Sequence, residues 1–132
     1  MRQHKAPGGL AGWQMTRVLN YIEQHLPDKI SVRELARLAG VSGDWFQRAF
    51  KISSGLPPYR FIAGKRLALA CTLLRTTRQP LSQVALTCGL YDQAHFSRTF
   101  RRSTGMNPGA WRRANALGPG PQHMAAMAAA QG

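Results

Sequence analysis

The sequence contains the same short pattern twice. Residues 34–50 read ELARLAGVSGDWFQRAF, and residues 83–100 read QVALTCGLYDQAHFSRTF. In each copy, apolar residues spaced three and four apart are interrupted by a glycine and then resume, which is typical of a helix, a tight turn and a second helix. A repeat of this kind constrains the fold strongly, because each copy is one supersecondary unit that must share in a small core.

The spacing of the repeat changes within the second copy. Gly40 recurs as Gly89, an offset of 49 residues, whereas Phe46 recurs as Phe96, an offset of 50 residues. One residue has therefore been inserted in the turn of the second copy.

The charge of the chain favours an anionic partner. Its 132 residues include 18 Lys and Arg against 5 Asp and Glu, for a formal net charge of +13. Such an excess repels itself in a compact fold unless an anion lies close by, so nucleic acid is the first expectation. Charge alone leaves ribosomal, membrane-surface and merely soluble basic proteins open. Two predicted helix-turn-helix units on such a chain favour duplex DNA.

Residue types that carry catalysis or bind metals are scattered. Cys71 and Cys88 lie far apart without a CxxC partner, and no Ser/His/Asp or paired-carboxylate pattern accompanies the four histidines. We therefore expect no enzyme activity, no metal site and no cofactor. The N-terminus lacks an apolar signal segment and no apolar run approaches about 20 residues, so we expect a cytoplasmic protein without membrane contact.

The pattern predicts an all-α fold of seven helices, in which two helix-turn-helix subdomains are joined by a long linker helix. The predicted segments are a flexible N-terminal lead at 1–12, the first helix-turn-helix subdomain at 13–56, the linker helix at 57–76, the second helix-turn-helix subdomain at 77–114 and a low-complexity, disordered tail at 115–132. A chain of this length holds one or two small domains.

Local signals place the ends of these helices. The first predicted helix ends before Pro27, and Ser31 with Glu34 predicts a capping box at the start of the second. Gly40 supplies the left-handed conformation that the tight turn requires, and Ser42 is expected to cap the third helix. The expected buried residues of the second helix are Leu35, Ala36 and Leu38. The expected apolar stripe of the linker helix consists of Tyr59, Ile62, Ala63, Leu67, Ala70, Leu73 and Leu74.

Helical spacing separates an inner from an outer face in the second helix of each copy. The expected inner residues are Phe46, Ala49 and Phe50 in the first copy, and Phe96 and Phe100 in the second, with His95 partly covered. The expected outer residues are Gly43, Asp44, Gln47, Arg48 and Lys51, with Trp45 at the border, and Gln93, Ala94, Ser97 and Arg98. Arg101 and Arg102 are long enough to reach phosphates. Trp111, in the last predicted helix, is expected to be a core residue.

The second copy closely resembles the C-terminal signature of AraC/XylS-type transcription regulators. The residues that carry the resemblance are Val84-Ala85, the run from Gly89 to Arg102, Gly105-Met106-Asn107-Pro108 and Trp111-Arg112. Residues 66–74 resemble the linker helix of the same family, and the whole match covers residues 14–113. The resemblance implies a seven-helix DNA-binding domain whose two recognition helices enter adjacent major grooves on one face of the duplex.

Position within the resemblance also implies which residues touch DNA. They are Asp44, Trp45, Gln47 and Arg48 in the first copy, and Gln93, Ala94, Ser97 and Arg98 in the second. Three residues depart from the family pattern. Asp44 is repelled by phosphate, so it must read a cytosine amino group, pair with Arg48 or turn away. Ala94 is too short to hydrogen-bond and at most touches a thymine methyl group. Tyr91 stands where the family often has a capping Ser, so Asp92 is expected to cap the helix instead.

The predicted function is sequence-specific binding of double-stranded DNA by a transcription regulator. Because the two copies differ, one chain is expected to read an asymmetric site, either as a monomer or attached to a sensor and dimerisation domain, with RNA polymerase as a second partner. The alternative is a basic RNA- or protein-binding interaction module, although the sequence has no Gly-rich RNA clamp. A third interpretation, a DNA-repair methyltransferase carrying this fold, lacks a cysteine cluster for alkyl transfer.

Overall fold

The computed structural model describes residues 8–116, and within them the chain forms seven α-helices and no strand. The helices are α1 (Gly12–Gln24), α2 (Val32–Ala39), α3 (Gly43–Ser54), α4 (Pro58–Thr76), α5 (Leu81–Thr87), α6 (Gln93–Thr104) and α7 (Pro108–Asn115). The predicted all-α fold of seven helices is confirmed. Residues 1–7 of the predicted lead and residues 117–132 of the predicted tail lie outside the described residues.

The described chain divides into two compact units. The division falls between Arg66 and Leu67, inside α4. The first unit contains α1, α2, α3 and the start of α4, and the second contains the remainder of α4 with α5, α6 and α7. The predicted boundaries make the linker helix a separate segment, whereas the compact units share it.

The first unit is built around the inner faces of α1, α2 and α3. Its buried apolar residues are Val18, Ile22, Leu26, Leu35, Ala36, Ala39, Phe46, Ala49, Phe50 and Ile62. The rings of Phe46 and Phe50 lie 5.5 Å apart, and Phe61 meets Phe50 edge to face at 5.2 Å. Burial of each phenylalanine contributes roughly 1.5–3 kcal/mol, so this aromatic cluster is the main anchor of α3.

One prediction for the core of α2 is wrong. Leu38 is half-buried, and Ala39 is buried in its place. The reason is helical geometry, because Ala39 follows Leu35 by four residues and therefore lies on the same face, whereas Leu38 lies at the edge of that face.

The second unit repeats this arrangement with a second phenylalanine pair. Its buried residues are Ala70, Leu74, Val84, Ala85, Cys88, Leu90, Phe96 and Phe100. Phe96 and Phe100 lie 5.6 Å apart, and Trp111 meets Phe100 edge to face at 5.7 Å. The prediction that Trp111 is a core residue is partly correct, because Trp111 of α7 packs against this cluster but is only partly buried.

The apolar stripe predicted for α4 is only partly correct. Tyr59 is 66% exposed and Ala63 is also exposed, whereas Pro58, Ile62, Ala70 and Leu74 are buried. These buried residues follow a spacing of four, which moves about 40° around the helix at each step. The buried face therefore shifts along α4, and a stripe drawn straight along the helix includes positions that face solvent.

In each unit, one arginine donates hydrogen bonds to two backbone carbonyls at or just beyond the end of a helix. Arg66 donates through Nε to the Leu26 carbonyl at 3.1 Å and through Nη2 to the Asp28 carbonyl at 2.7 Å. Arg112 donates through Nε to the Leu74 carbonyl at 3.1 Å and through Nη1 to the Gln79 carbonyl at 2.7 Å. Leu74 lies in the last turn of α4, whereas Leu26, Asp28 and Gln79 follow the ends of α1 and α4. The two arginines therefore attach the segments that follow these helices to the rest of each unit, and Arg112 also binds a carbonyl near the end of α4.

The segment before α1 is attached to the first unit by backbone hydrogen bonds. The Leu10 amide donates to Ser53 Oγ, in the last turn of α3, at 2.7 Å. Gln14 accepts from the Ala11 amide at 2.7 Å and donates to the Ala39 carbonyl at 2.8 Å. The segment therefore contacts α3 directly through Leu10, and Gln14 of α1 connects it to the end of α2.

Candidate nucleic-acid interface

The turn between α2 and α3 orients α3 in the first unit. Gly40 has φ of 73°, in the left-handed region that the sequence predicted, and the Val41 amide donates to the Ala36 carbonyl at 3.0 Å. Ser42 then caps α3, since its Oγ accepts from the Trp45 amide at 3.2 Å. Both predictions for this turn are confirmed, and together they fix the direction in which α3 leaves α2.

The start of α2 is capped by only half of the predicted capping box. Ser31 Oγ accepts from the Glu34 amide at 3.1 Å, as expected. The Glu34 carboxylate pairs with Arg37, one turn along the exposed surface, and does not reach back to Ser31. This hydrogen bond lowers the pKa of Glu34 below its ordinary value and raises the pKa of Arg37. The reciprocal bond is absent because Arg37 is a charged competitor on the same face.

The corresponding turn of the second unit contains the inserted residue. Gly89 again has φ of 73°, and the Leu90 amide donates to the Ala85 carbonyl at 2.9 Å, so Leu90 matches Val41. Asp92 caps α6 by accepting from the His95 amide at 2.8 Å, which confirms the prediction for Asp92 and matches it to Ser42. The extra residue is therefore Tyr91, whose φ is 55°.

The outer face of α3 is exposed and weakly basic. Asp44, Gln47, Arg48 and Lys51 are exposed, and Trp45 is half-buried at the border of the face. Ion pairs in residues 8–116 include Glu34 with Arg37 and Glu23 with Lys65, and none joins Asp44 to Arg48. The carboxylate of Asp44 consequently remains exposed at the start of the helix.

The outer face of α6 is more strongly basic. Gln93, Ala94, Arg98, Arg101 and Arg102 are exposed, and α6 contains three arginines and no acidic residue. The prediction that Ser97 lies on the outer face is only partly correct, because this residue is half-buried. It lies only about 60° around the helix from the buried Phe100, so the core partly covers it.

Sequence reasoning assigned no binding role to Tyr91. Its side chain is 75% exposed, and its ring meets that of His95 at 5.1 Å. The change of offset between the two copies is the signal that marks this turn as different. His95 itself is half-buried, as expected.

Other kinds of site find little support in the described part of the chain. Across residues 8–116, no three His, Cys, Asp or Glu side chains gather in a group that could hold a metal ion. The helices of the same residues are too short or too polar to cross a membrane. Burial raises the pKa of the Cys71 thiol, which disfavours its reactive thiolate form at neutral pH.

Two capped turns, each followed by an exposed basic helix that a phenylalanine pair anchors, define a protein with two helix-turn-helix units. Comparison with known families agrees, since a helix-turn-helix domain family matches residues 35–114. The chain belongs to the AraC/XylS family of helix-turn-helix proteins.

Individual relatives are similar over most of the described chain. The "Probable transcriptional regulator LumQ" of Photobacterium leiognathi is 46% identical over 94 residues, which are 71% of this chain and 38% of LumQ. The regulatory protein SoxS of Escherichia coli K12 is 30% identical over 95 residues, 72% of this chain and 89% of SoxS. The chain thus spans less than two fifths of LumQ but most of SoxS.

The fold has also been solved on DNA in a relative. The DNA-binding domain of the transcriptional factor AdpA, in complex with a target DNA, matches with a TM-score of 0.72 and 30% identity. The match covers 76% of this chain and 91% of that domain.

Proposed function

We propose that the chain is a sequence-specific, double-stranded DNA-binding transcription regulator that inserts α3 and α6 into successive major grooves of an asymmetric site. The observation that carries the proposal is the pair of exposed basic faces, each held by a capped turn and a buried phenylalanine pair. The similarity to a domain solved with its target DNA supports the same conclusion. Two different recognition faces read different half-sites, so one chain needs no palindrome.

The proposed roles divide the exposed residues by chemistry. Gln47, Arg48, Gln93 and Arg98 read base edges, because Arg pairs with guanine O6 and N7 and Gln with adenine N6 and N7. Lys51, Arg101 and Arg102 contact phosphates and supply affinity that falls with salt. Ala94 touches a thymine methyl group, and Asp44 accepts from a cytosine amino group. Trp45 and Ser97, both half-buried, pack at the edges of the two contact faces.

Selection of bound sequences from a random duplex pool tests the proposal directly. We expect an asymmetric consensus with two half-sites about one helical turn apart, roughly 34 Å along the duplex. Binding to the selected duplex should exceed binding to a scrambled duplex by at least about a thousandfold. Equal affinity for the selected duplex, a duplex RNA and heparin would refute sequence-specific DNA binding and favour a general polyanion binder.

The partners of the bound chain form a further part of the proposal. We propose that the chain binds its site as a monomer, alone or as the C-terminal part of a longer regulator, and acts in the cytoplasm where bacterial DNA lies. We propose RNA polymerase as its second partner and no catalytic activity. Transcription from a promoter that carries the selected site, with purified polymerase, tests this part, since an unchanged transcript level would contradict it.

A further inference from the structure

The inserted residue of the second turn has an unusual backbone conformation. Tyr91 has φ of 55°, and every other residue with positive φ among the described residues is a glycine. This region is unfavourable for residues with a β-carbon and is best tolerated by glycine and asparagine. An insertion that served only to lengthen the turn would be more stable as either of those residues.

The side chain of Tyr91 gives little stabilisation to the fold in return. It is 75% exposed and is not part of the core of the second unit. Its ring contact within residues 8–116 is the edge-on approach to His95, at 5.1 Å between ring centres. His95 is half-buried, with Nδ1 3.3 Å from the Leu90 carbonyl, so it restrains the tyrosine ring beside the first turn of α6. Backbone strain retained under an exposed ring indicates a role in binding.

The surroundings of Tyr91 identify the chemistry of its partner. Tyr91 directly precedes Asp92, the capping residue of α6, and its ring contacts His95 in the first turn of that helix. Gln93 and Ala94, the first two residues of α6, are exposed. The nearest carboxylate in sequence, Asp92, is engaged in capping the helix. The remainder of α6 carries three arginines and no acid, so the face attracts anions. A phenol offers an apolar ring and one strong donor, which match a deoxyribose and its phosphate.

We infer that Tyr91 contacts the DNA backbone at the edge of the groove that α6 enters, with its ring packed on a deoxyribose and its hydroxyl donating to a phosphate oxygen. The inference rests on the proposed function, because it adds a contact to the same interface. It assigns Tyr91 to affinity that is independent of sequence, in contrast to the base-reading role proposed for Arg98.

Two substitutions at one position test the inference. Tyr91→Asn removes the ring and relieves the backbone, whereas Tyr91→Phe removes only the hydroxyl. We expect Tyr91→Asn to weaken binding about tenfold on both the selected and the scrambled duplex, and Tyr91→Phe to weaken it about threefold on both. The Tm of Tyr91→Asn should equal or exceed that of the parent chain, since asparagine tolerates this conformation. Leu86→Ala, which removes another exposed apolar side chain of the second unit, should change neither quantity.

The outcomes separate the inference from the proposed function. Unchanged affinity of Tyr91→Asn, or a loss of affinity accompanied by a lower Tm, would overturn the inference while leaving DNA binding intact. A loss confined to the selected duplex would assign the ring to a base and also overturn it. If the parent chain itself shows no preference for the selected duplex, the proposed function fails.

Discussion

The two units share the structural features that stabilise their folds, and they differ in the charges on their exposed helix faces. Each has a left-handed glycine in the turn, a capped second helix, a buried phenylalanine pair and a terminal arginine bonded to backbone carbonyls. The exposed face of α3 carries one acid and two cations, whereas that of α6 carries three arginines and no acid. The second turn also carries an extra residue. The requirements of folding therefore repeat along this chain, while the chemistry of the exposed surface is set separately in each unit.

A cavity made in one core tests whether the two cores unfold independently. Phe96→Ala should cost about 3–5 kcal/mol, because it empties the centre of the second cluster. We expect hydrogen exchange to lose its protection in α5, α6 and α7 while α1, α2 and α3 remain protected. Phe46→Ala should give the reverse pattern. Simultaneous loss of protection in all the helices after either substitution would show that the units fold as one.

Arg66 and Arg112 each donate two hydrogen bonds to backbone carbonyls, so the contributions of these bonds can be compared between the two units. Arg112→Ala should cost roughly 2–3 kcal/mol, because the carbonyls of Leu74 and Gln79 lose a charged donor. Urea unfolding measures the change, and Arg66→Ala should give a similar value. Arg112→Lys should not restore stability, since one ammonium cannot match the two-point geometry. The neighbouring Arg113 is exposed, so Arg113→Ala is the matched control, and a comparable loss there would contradict the role of Arg112.

Arg48 and Arg98 occupy matching positions on α3 and α6, so they allow the two proposed recognition faces to be compared. Arg98→Ala should weaken binding to the selected duplex by about 1–3 kcal/mol and weaken binding to the scrambled duplex much less. Arg48→Ala should show the same difference at the other half-site. Fluorescence anisotropy with both duplexes gives the two affinities. Equal losses on both duplexes would show that these arginines contact only phosphates.

The caps test whether the extra residue loosens the second turn. Ser42→Ala and Asp92→Ala should each lower stability by about 1 kcal/mol, since each removes an acceptor from a helix start. In a domain of this size that change lowers Tm by roughly 4–8 °C. Asp92→Asn should retain most of the stability. A markedly smaller effect at Asp92 than at Ser42 would mean that Tyr91 disturbs the cap beside it.

The smallest expected effect concerns the ion pair between Glu34 and Arg37 on the surface of α2. The hydrogen bond from Arg37 lowers the pKa of Glu34 below its ordinary value of 4.5. Its contribution to stability is therefore complete above pH 4.5 and is lost as the pH falls through the lowered value. Glu34→Gln should make the Tm slightly less dependent on pH in that acid range. A steeper dependence in the variant would contradict this assignment.

Much of the fold follows from local sequence signals. Helix-period spacing located the two phenylalanine pairs, and Gly40, Ser42 and Asp92 specified their turns and caps correctly, because each acts through its own backbone neighbourhood. Errors occurred where the exact position of a buried face around its helix had to be predicted. The buried face of α4 shifts along the helix, so Tyr59 and Ala63 were misassigned.

The side-chain arrangement at the surface and the long-range hydrogen bonds were harder to predict from the sequence. The half-burial of Ser97 depends on how Phe100 packs in the core. The pairing of the Glu34 carboxylate with Arg37, in place of Ser31, depends on the positions of the side chains. Arg66 binds carbonyls that lie 38 and 40 residues away in the sequence, and Arg112 binds carbonyls that lie 33 and 38 residues away. No local sequence pattern indicates hydrogen bonds over such separations. The roles of the eleven proposed DNA-contacting residues remain predictions for the binding experiments.

The attachment of Leu10 to Ser53 makes the beginning of the described chain a natural position for a reporter. An environment-sensitive dye joined at residue 8 would be two residues before Leu10, which is hydrogen-bonded to the last turn of α3, the helix proposed to enter the groove. Its emission should change when a duplex approaches that helix, so engagement of the first unit could be followed in time without labelling the DNA.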